Sequence, residues 1–345
     1  MGLKLKPIYL LLSLLSTSLF AQNEPQNAVN DSLQEIIYGV QNNDYIYIYK
    51  NRVTARAFFI KTSNPLTIRG RGDESHIQYQ LNPNKQDKIG ASVAFRSISA
   101  SYSFSPNALA ENPDDKDSKV VNFNFRNYFG KHWMQTLDIY SQKGFHLKDQ
   151  DNHQVYLPKT KSFKIGGTTS YIFNENFSYR ARASQNEKQL KSAGTFMPNL
   201  VYYYTKHNLR AYNEATGASV DTEYRAFDIA LAPSYLYNFV PTKNLFISAG
   251  VSAGIGANFS KNSDDDENLV SLLTELDFSG TITYDIKQLY LGAQYNYLIL
   301  NYNSDASSYV KDNIPFMQFF VGYRFKASRK MVNKADSVNK KLHFN

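Results

Sequence analysis

From residue 44 onward, apolar and polar positions alternate through a long succession of segments, a period of two that marks strands with one face in apolar surroundings. Tyr45, Tyr47 and Tyr49 share one face of a short strand and Ile46 and Ile48 the other. Ile77, Tyr79 and Leu81 alternate with His76, Gln78 and Gln80, and Ile89, Ala91, Val93 and Phe95 with Gly90, Ser92, Ala94 and Arg96. The apolar row then changes parity to Ile98, Ala100, Tyr102 and Phe104. Such a shift predicts a β-bulge or a very tight turn near Arg96. Val121, Phe123 and Phe125 alternate with Asn122, Asn124 and Arg126, and Phe177, Tyr179, Ala181 and Ala183 with Ser178, Arg180, Arg182 and Ser184. The stretches 245–259, 276–286 and 289–299 sustain the pattern for longer than a globular strand does. A tilted strand that crosses a bilayer needs roughly 9 to 11 residues plus extensions, which suits these lengths.

The connections sharpen this into an architecture. Short turns at Gly130-Lys131, Asn174-Glu175-Asn176, Pro241-Thr242-Lys243 and Lys287-Gln288 alternate with polar loops over 105–119, 143–161, 261–270 and 302–314. Short turns at one end and long loops at the other are the asymmetry of a transmembrane antiparallel up-and-down β-barrel. With 89–104 taken as one bulged strand the count is about thirteen, whereas single-chain bacterial barrels have an even number, so one segment is misread. The turn alternation fails between Gln185 and Glu223. Either 196–204 is not a spanning strand, giving about twelve, or 208–221 hides another, giving about fourteen; twelve is favoured.

The ends read differently. Lys4 and Lys6 precede an apolar run from Ile8 to Leu15 and small residues up to Ala21, the pattern of a signal peptide over residues 1–21. Residues 22–50 then form a polar periplasmic leader, 51–326 the outer-membrane barrel, and 327–345 a basic, mobile periplasmic tail with Arg329, Lys330, Lys334, Lys340 and Lys341. Tyr323 and Phe325 close the final strand as aromatics do in barrels inserted by the bacterial assembly machinery, although there the strand ends the chain.

Composition agrees with this reading. Tyr and Phe number 26 and 23, the supply that aromatic girdles at two interfaces need, while alternation keeps the mean hydropathy at -0.45. There is no cysteine, so an exported fold of this size draws its stability from elsewhere, such as a closed ring of hydrogen bonds. The net charge of +8 is dispersed along the chain, which argues against a nucleic-acid partner. The expected partners are outer-membrane lipid and lipopolysaccharide, and the assembly machinery during insertion.

Tyr79-Gln-Leu-Asn-Pro-Asn84, Phe177-Ser-Tyr-Arg-Ala181 and the following Gln185 to Phe196 resemble an outer-membrane family of Bacteroidota, domain-of-unknown-function family 4421. The resemblance covers residue 44 to the last strand. It implies export and a barrel and no particular activity. Asn82-Pro83-Asn84 and Lys191-Ser-Ala-Gly194 also have a plain reading as turns.

If the apolar rows face lipid, Arg126, Arg180, Arg182 and Arg324 point into the barrel, with Asp228, Asp277 and Asp285 on the alternate rows of other strands. That placement avoids about 2 to 4 kcal/mol for a cation on the lipid face at the midplane. Two functions follow. Charges paired across a narrow interior give a closed barrel with a structural, binding or assembly role; an open arginine-lined lumen gives an anion-biased channel for small polar solutes. The first is favoured. An outer-membrane lipid hydrolase ranks third, because His132, His146, His153 and His207 form no constellation with Ser or Asp, and no HExxH or P-loop occurs. No cofactor motif is present. Asp264, Asp265, Asp266 and Glu267 are weak candidates for Ca²⁺, and a solvated loop is the preferred reading. Gly250, Gly254 and Gly256 in one strand relieve crowding or permit curvature.

Overall fold

The computed structural model describes residues 36–63, 65–70, 78–115, 117–148, 154–212, 219–263, 268–303 and 308–342. The N-terminal arm carries β1 (Val40–Gln41) and β2 (Ile46–Ile48). The wall begins with β3 (Arg52–Thr62), followed by the small hairpin β4 (Leu66–Gly70) and β5 (Gln78–Pro83). Then come β6 (Lys88–Phe95), β7 (Ile98–Phe104), β8 (Lys119–Phe129), β9 (Trp133–Lys148) and β10 (Gln154–Tyr171). A helical turn, Tyr179–Ala183, and β11 (Glu187–Gln189) precede β12 (Ala193–Met197), β13 (Asn199–Tyr212), β14 (Ser219–Leu231) and β15 (Ser234–Phe239). The chain finishes with β16 (Leu245–Asn262), β17 (Asn268–Ile286), β18 (Leu289–Asn303), β19 (Ser308–Lys326) and a helix, Arg329–Leu342.

Twelve strands close a ring in the order β3-β6-β7-β8-β9-β10-β13-β14-β16-β17-β18-β19, with β19 returning to β3. Every pairing in the ring is antiparallel between neighbours in this up-and-down order. Closure leaves the wall without an edge, so backbone donors are satisfied within it, which is the condition for crossing hydrocarbon with strands. Two staves are broken by proline, which has no N–H for the ladder. Pro198 separates β12 from β13, and Pro233 separates β14 from β15; β12 and β15 continue the pairing of their staves below the breaks. Among the described residues no helix is long and apolar enough to cross a membrane.

The two faces of the wall differ as the alternation demands. Leu231, Ile255, Val270 and Leu272 are 60 to 63% exposed on the outside. Their cross-strand and sequence neighbours Ala230, Asn258 and Ser271 are buried inside. Aromatic rings collect on the outside near the short-turn end. Trp133 meets Tyr171 at 5.0 Å, Tyr171 meets Phe173 at 5.0 Å, Phe173 meets Phe196 at 5.7 Å, and Tyr323 meets Phe325 at 4.7 Å. An apolar outer belt with an aromatic rim is the lipid-facing surface of a transmembrane barrel.

Several local expectations change. Residues 89–104 are two staves, β6 and β7, joined by a two-residue turn in which Arg96 takes φ +52°. Residues 177–184 contribute no stave, and 196–204 belongs to one. The ring nevertheless has twelve staves, the favoured number, although these three segments are assigned differently. Within the stretches read as loops, strand pairing continues over 143–148, 154–161, 261–262, 268–270, 302–303 and 308–314. The β4–β5 hairpin lengthens this rim by pairing with β9 and β19. Asn174-Glu175-Asn176 opens a longer insertion instead of closing a hairpin. The tail is helical, not coil: Val332 is buried, and Asp336 meets Arg96 at 2.7 Å across the β6–β7 turn. Residues 1–21 and the start of the leader lie outside the described residues.

Candidate functional site

Between β10 and the next stave a short hairpin would suffice, yet the chain inserts residues 172–192. Ser178 starts the helical turn Tyr179–Ala183, its Oγ accepting from Ala181 N at 3.0 Å. Glu187 then accepts from Ser178 Oγ at 2.6 Å and from Arg180 at 2.9 Å. β11 pairs with β2, whose other edge holds β1, so the insertion and the N-terminal arm form one three-stranded body. The arm expected as a free leader is therefore packed from residue 40 to 48.

This body reaches the inner wall on several sides. Asn238 of β15 donates to Ser178 O at 3.0 Å and to Gln189 Oε1 at 2.9 Å. Arg324 of β19 donates to Gln185 O at 2.8 Å, and Arg56 of β3 to Gln185 Oε1 at 3.2 Å. Asn186 donates to Arg96 O at 2.7 Å. Phe177 joins Tyr128, Met134, Met197 and Leu236 from four staves in a buried apolar cluster. Gln189, 2% exposed, accepts from Ser178 N and donates to the carbonyls of Asn176 and Lys191. So many buried hydrogen bonds between plug and wall favour one arrangement, since each bond left unmade would cost about 1 to 3 kcal/mol. Together these contacts make a plug at the short-turn end. At its edge Lys131 donates to Glu175 at 2.6 Å, and that bond holds the exposed Glu175 carboxyl below its usual range.

The residues singled out from the sequence divide into three groups. Arg324 is 1% exposed, meets Asp285 at 2.7 Å and stacks over Tyr49 and Tyr290, each at 4.4 Å. Arg180 and Arg182 sit on the plug helix and not on a wall strand, with Arg180 paired to Glu187. Asp228 accepts from Asn258 at 2.5 Å and Asp277 from Asn296 at 3.3 Å. Among the described residues neither aspartate ion-pairs with an arginine. Arg126 and Arg182 likewise form no ion pair with a carboxylate among the described residues, so the expected charge pairing covers only part of the interior. Arg126 lies over Tyr179 at 5.6 Å. Asp264, Asp265, Asp266 and Glu267 lie outside the described residues, as does His153.

Sequence reasoning missed Arg56, Gln185, Glu187 and Gln189. Arg56 was legible in principle: it shares the row of Thr54 and Phe58, opposite Ala55, Ala57 and Phe59. The plug residues were not, because a helical turn interrupts their period. A cavity of about 200 Å³ lies above the plug helix, lined by Arg56, Arg126 and Arg182 with Asn124, Tyr140 and Gln318. Gly250 gives Arg182 its room, since a methyl there would stand 3.0 Å from Nη1 and 2.2 Å from Leu236 Cδ2.

The described histidines are scattered. His132 Nδ1 is 2.6 Å from Ile172 O, His146 Nε2 is 2.8 Å from Asp115, and His207 stacks on Tyr224. Among the described residues no three His, Asp or Glu side chains gather as a metal site would require.

No curated protein matches the chain. Among solved structures it is similar to OmpT, an outer membrane protein of Vibrio cholerae, at 8% identity and TM-score 0.33, covering 84% of this chain and 100% of that one. Similarity to the beta domain of the Bordetella autotransporter BrkA has 11% identity and TM-score 0.36, covering 79% and 98%. OprG from Pseudomonas aeruginosa is matched at 12% identity and TM-score 0.26, covering 80% and 97%. Residues 30–325 match the family described as a domain of unknown function, DUF4421, and the chain belongs to that family.

Proposed function

We propose that this is an outer-membrane β-barrel protein whose lumen is closed at the short-turn end by its own plug, with a structural or ligand-binding role and not that of an open pore. The observation that carries the reading is the plug itself: residues 172–192 hydrogen-bond to β3, β15 and β19 across the barrel bore, and the N-terminal arm is held on them by the β2–β11 pairing. The apolar belt supports lipid as the surrounding medium, with lipopolysaccharide on the long-loop side. In this reading residues 1–21 direct export and are removed, the short-turn end faces the periplasm, and the assembly machinery inserts the barrel. The family resemblance favours a Bacteroidota source.

Conductance in planar bilayers tests the closure. The folded protein is expected to be silent, and a variant with residues 175–190 replaced by a short Gly-Ser turn to conduct. Steady anion-biased conductance from the unaltered protein would replace this reading with that of a channel.

A further inference from the structure

Arg182 is 5% exposed, and its Nη1 is buried without a hydrogen-bond partner; Arg126 Nε is likewise unpartnered. Both border the cavity above the plug helix, together with Arg56, whose Nε and Nη1 are held by Ser92, Ala183 and Gln185. A guanidinium cannot shed its charge by deprotonating. Burying one unpaired costs several kcal/mol, so a cluster of them is stable only where something negative or strongly polar completes it. The nearby carboxylates take their hydrogen bonds from neutral groups and make no direct ion pair with Arg126 or Arg182 among the described residues. Asp138 accepts from Asn124 and Tyr203, and Asp277 from Asn296.

The cavity walls suit a ligand with two parts. Phe58, Phe316 and Tyr140 supply apolar and aromatic surface, while Asn124, Gln294 and Gln318 supply neutral hydrogen-bonding groups. Its volume of about 200 Å³ equals the liquid share of about seven waters, room for a small organic molecule and not for a polymer. Planar guanidinium forks match carboxylate and phosphate oxygens in pairs.

We infer that Arg56, Arg126 and Arg182 form a binding site for the oxyanion of a small organic acid, a carboxylate or phosphate monoester whose apolar body lies against Phe58 and Phe316. The plug helix is the floor of this site, so the inference rests on the plugged reading. It makes the barrel a receptor for its ligand, loaded from the long-loop side.

Calorimetric titration of the purified full chain in detergent tests it, with phenyl phosphate, benzoate and inorganic phosphate as probes and benzylamine as the cationic control. Phenyl phosphate or benzoate is expected to bind more tightly than inorganic phosphate, and benzylamine not at all. Arg182→Gln and Arg126→Gln should each weaken binding at least about tenfold, the size of one lost charge-assisted hydrogen bond. Arg225→Gln, on the outer surface, should leave it unchanged. Heat-modifiable migration of each variant reports that the barrel is folded, and Arg182→Lys, which keeps the charge and loses the fork, should retain part of the affinity if Arg182→Gln is unfolded. Absence of anion binding, equal binding of benzylamine, or undiminished affinity in folded Arg182→Gln and Arg126→Gln overturns the site. An inorganic phosphate preference overturns the apolar subsite. Because closure is read separately by conductance, a silent barrel that binds no anion sinks the site alone, and a conducting one sinks the plug.

Discussion

At the scale of single residues, the Arg324–Asp285 pair links the wall to the plug. Arg324 bonds a carboxylate of β17 and a plug carbonyl at once, and rings from the arm and from β18 cover its faces. Removing one partner of a buried pair costs about 3 to 5 kcal/mol, whereas replacing both with apolar residues is often close to neutral. Arg324→Met is expected near the lower end, about 3 kcal/mol, because Lys188 stands 3.9 Å from Asp285 and shields part of the stranded charge. Arg324→Met with Asp285→Leu should recover most of the loss. Urea unfolding of the protein in lipid vesicles measures both; equal stability of the single variant and the parent would remove the pair from the account. Alternation placed both residues on the inner row, since Tyr323 and Phe325 flank Arg324. That they meet each other follows from the stagger of β17, β18 and β19, which one-strand patterning does not contain.

At the scale of elements, the sequence was clearest where a segment is a stave and least clear where it turns inward. Phe177-Ser-Tyr-Arg-Ala-Arg-Ala-Ser184 alternates like a strand, but its polar residues bond within the insertion and Ser178 begins a helical turn. Local capping overrode the period of two. The tight turn near Arg96 was one of the two readings the parity shift allowed, and the strand count took the other, a bulge, because the turn places Arg96 at positive φ without the Gly or Asn that usually marks it. Polar outer loops were overestimated because backbone pairing runs on through polar residues such as Lys143, Lys161 and Lys311, where no apolar row marks a strand. Ser178→Ala removes the helix cap and a bond to Glu187, and about 1 to 2 kcal/mol of local stability should go with it. Hydrogen exchange should quicken across 178–189 while the barrel strands keep their protection. Exchange unchanged there, or quickened equally throughout, would contradict a plug with its own local cooperativity.

At the scale of the molecule, the fold is a ring of long staves whose outer face is solvated by hydrocarbon. Val251 stands outward on β16 between Tyr235 and Phe278, in the middle of the wall. Val251→Arg should lower stability in bilayers by about 2 to 4 kcal/mol if that position lies near the midplane, a penalty absent for an exposed residue of a water-soluble barrel. Unfolding in vesicles of increasing acyl-chain length would show the penalty growing with thickness, and a neutral effect would place the residue in water. The most direct measurement of the whole account is electrophoretic migration of membrane-fractionated protein with and without heating. A closed transmembrane barrel is predicted in the outer-membrane fraction, as a faster band before boiling that shifts to the mobility of the unfolded chain afterwards. One unshifted band together with recovery in the soluble fraction would contradict it.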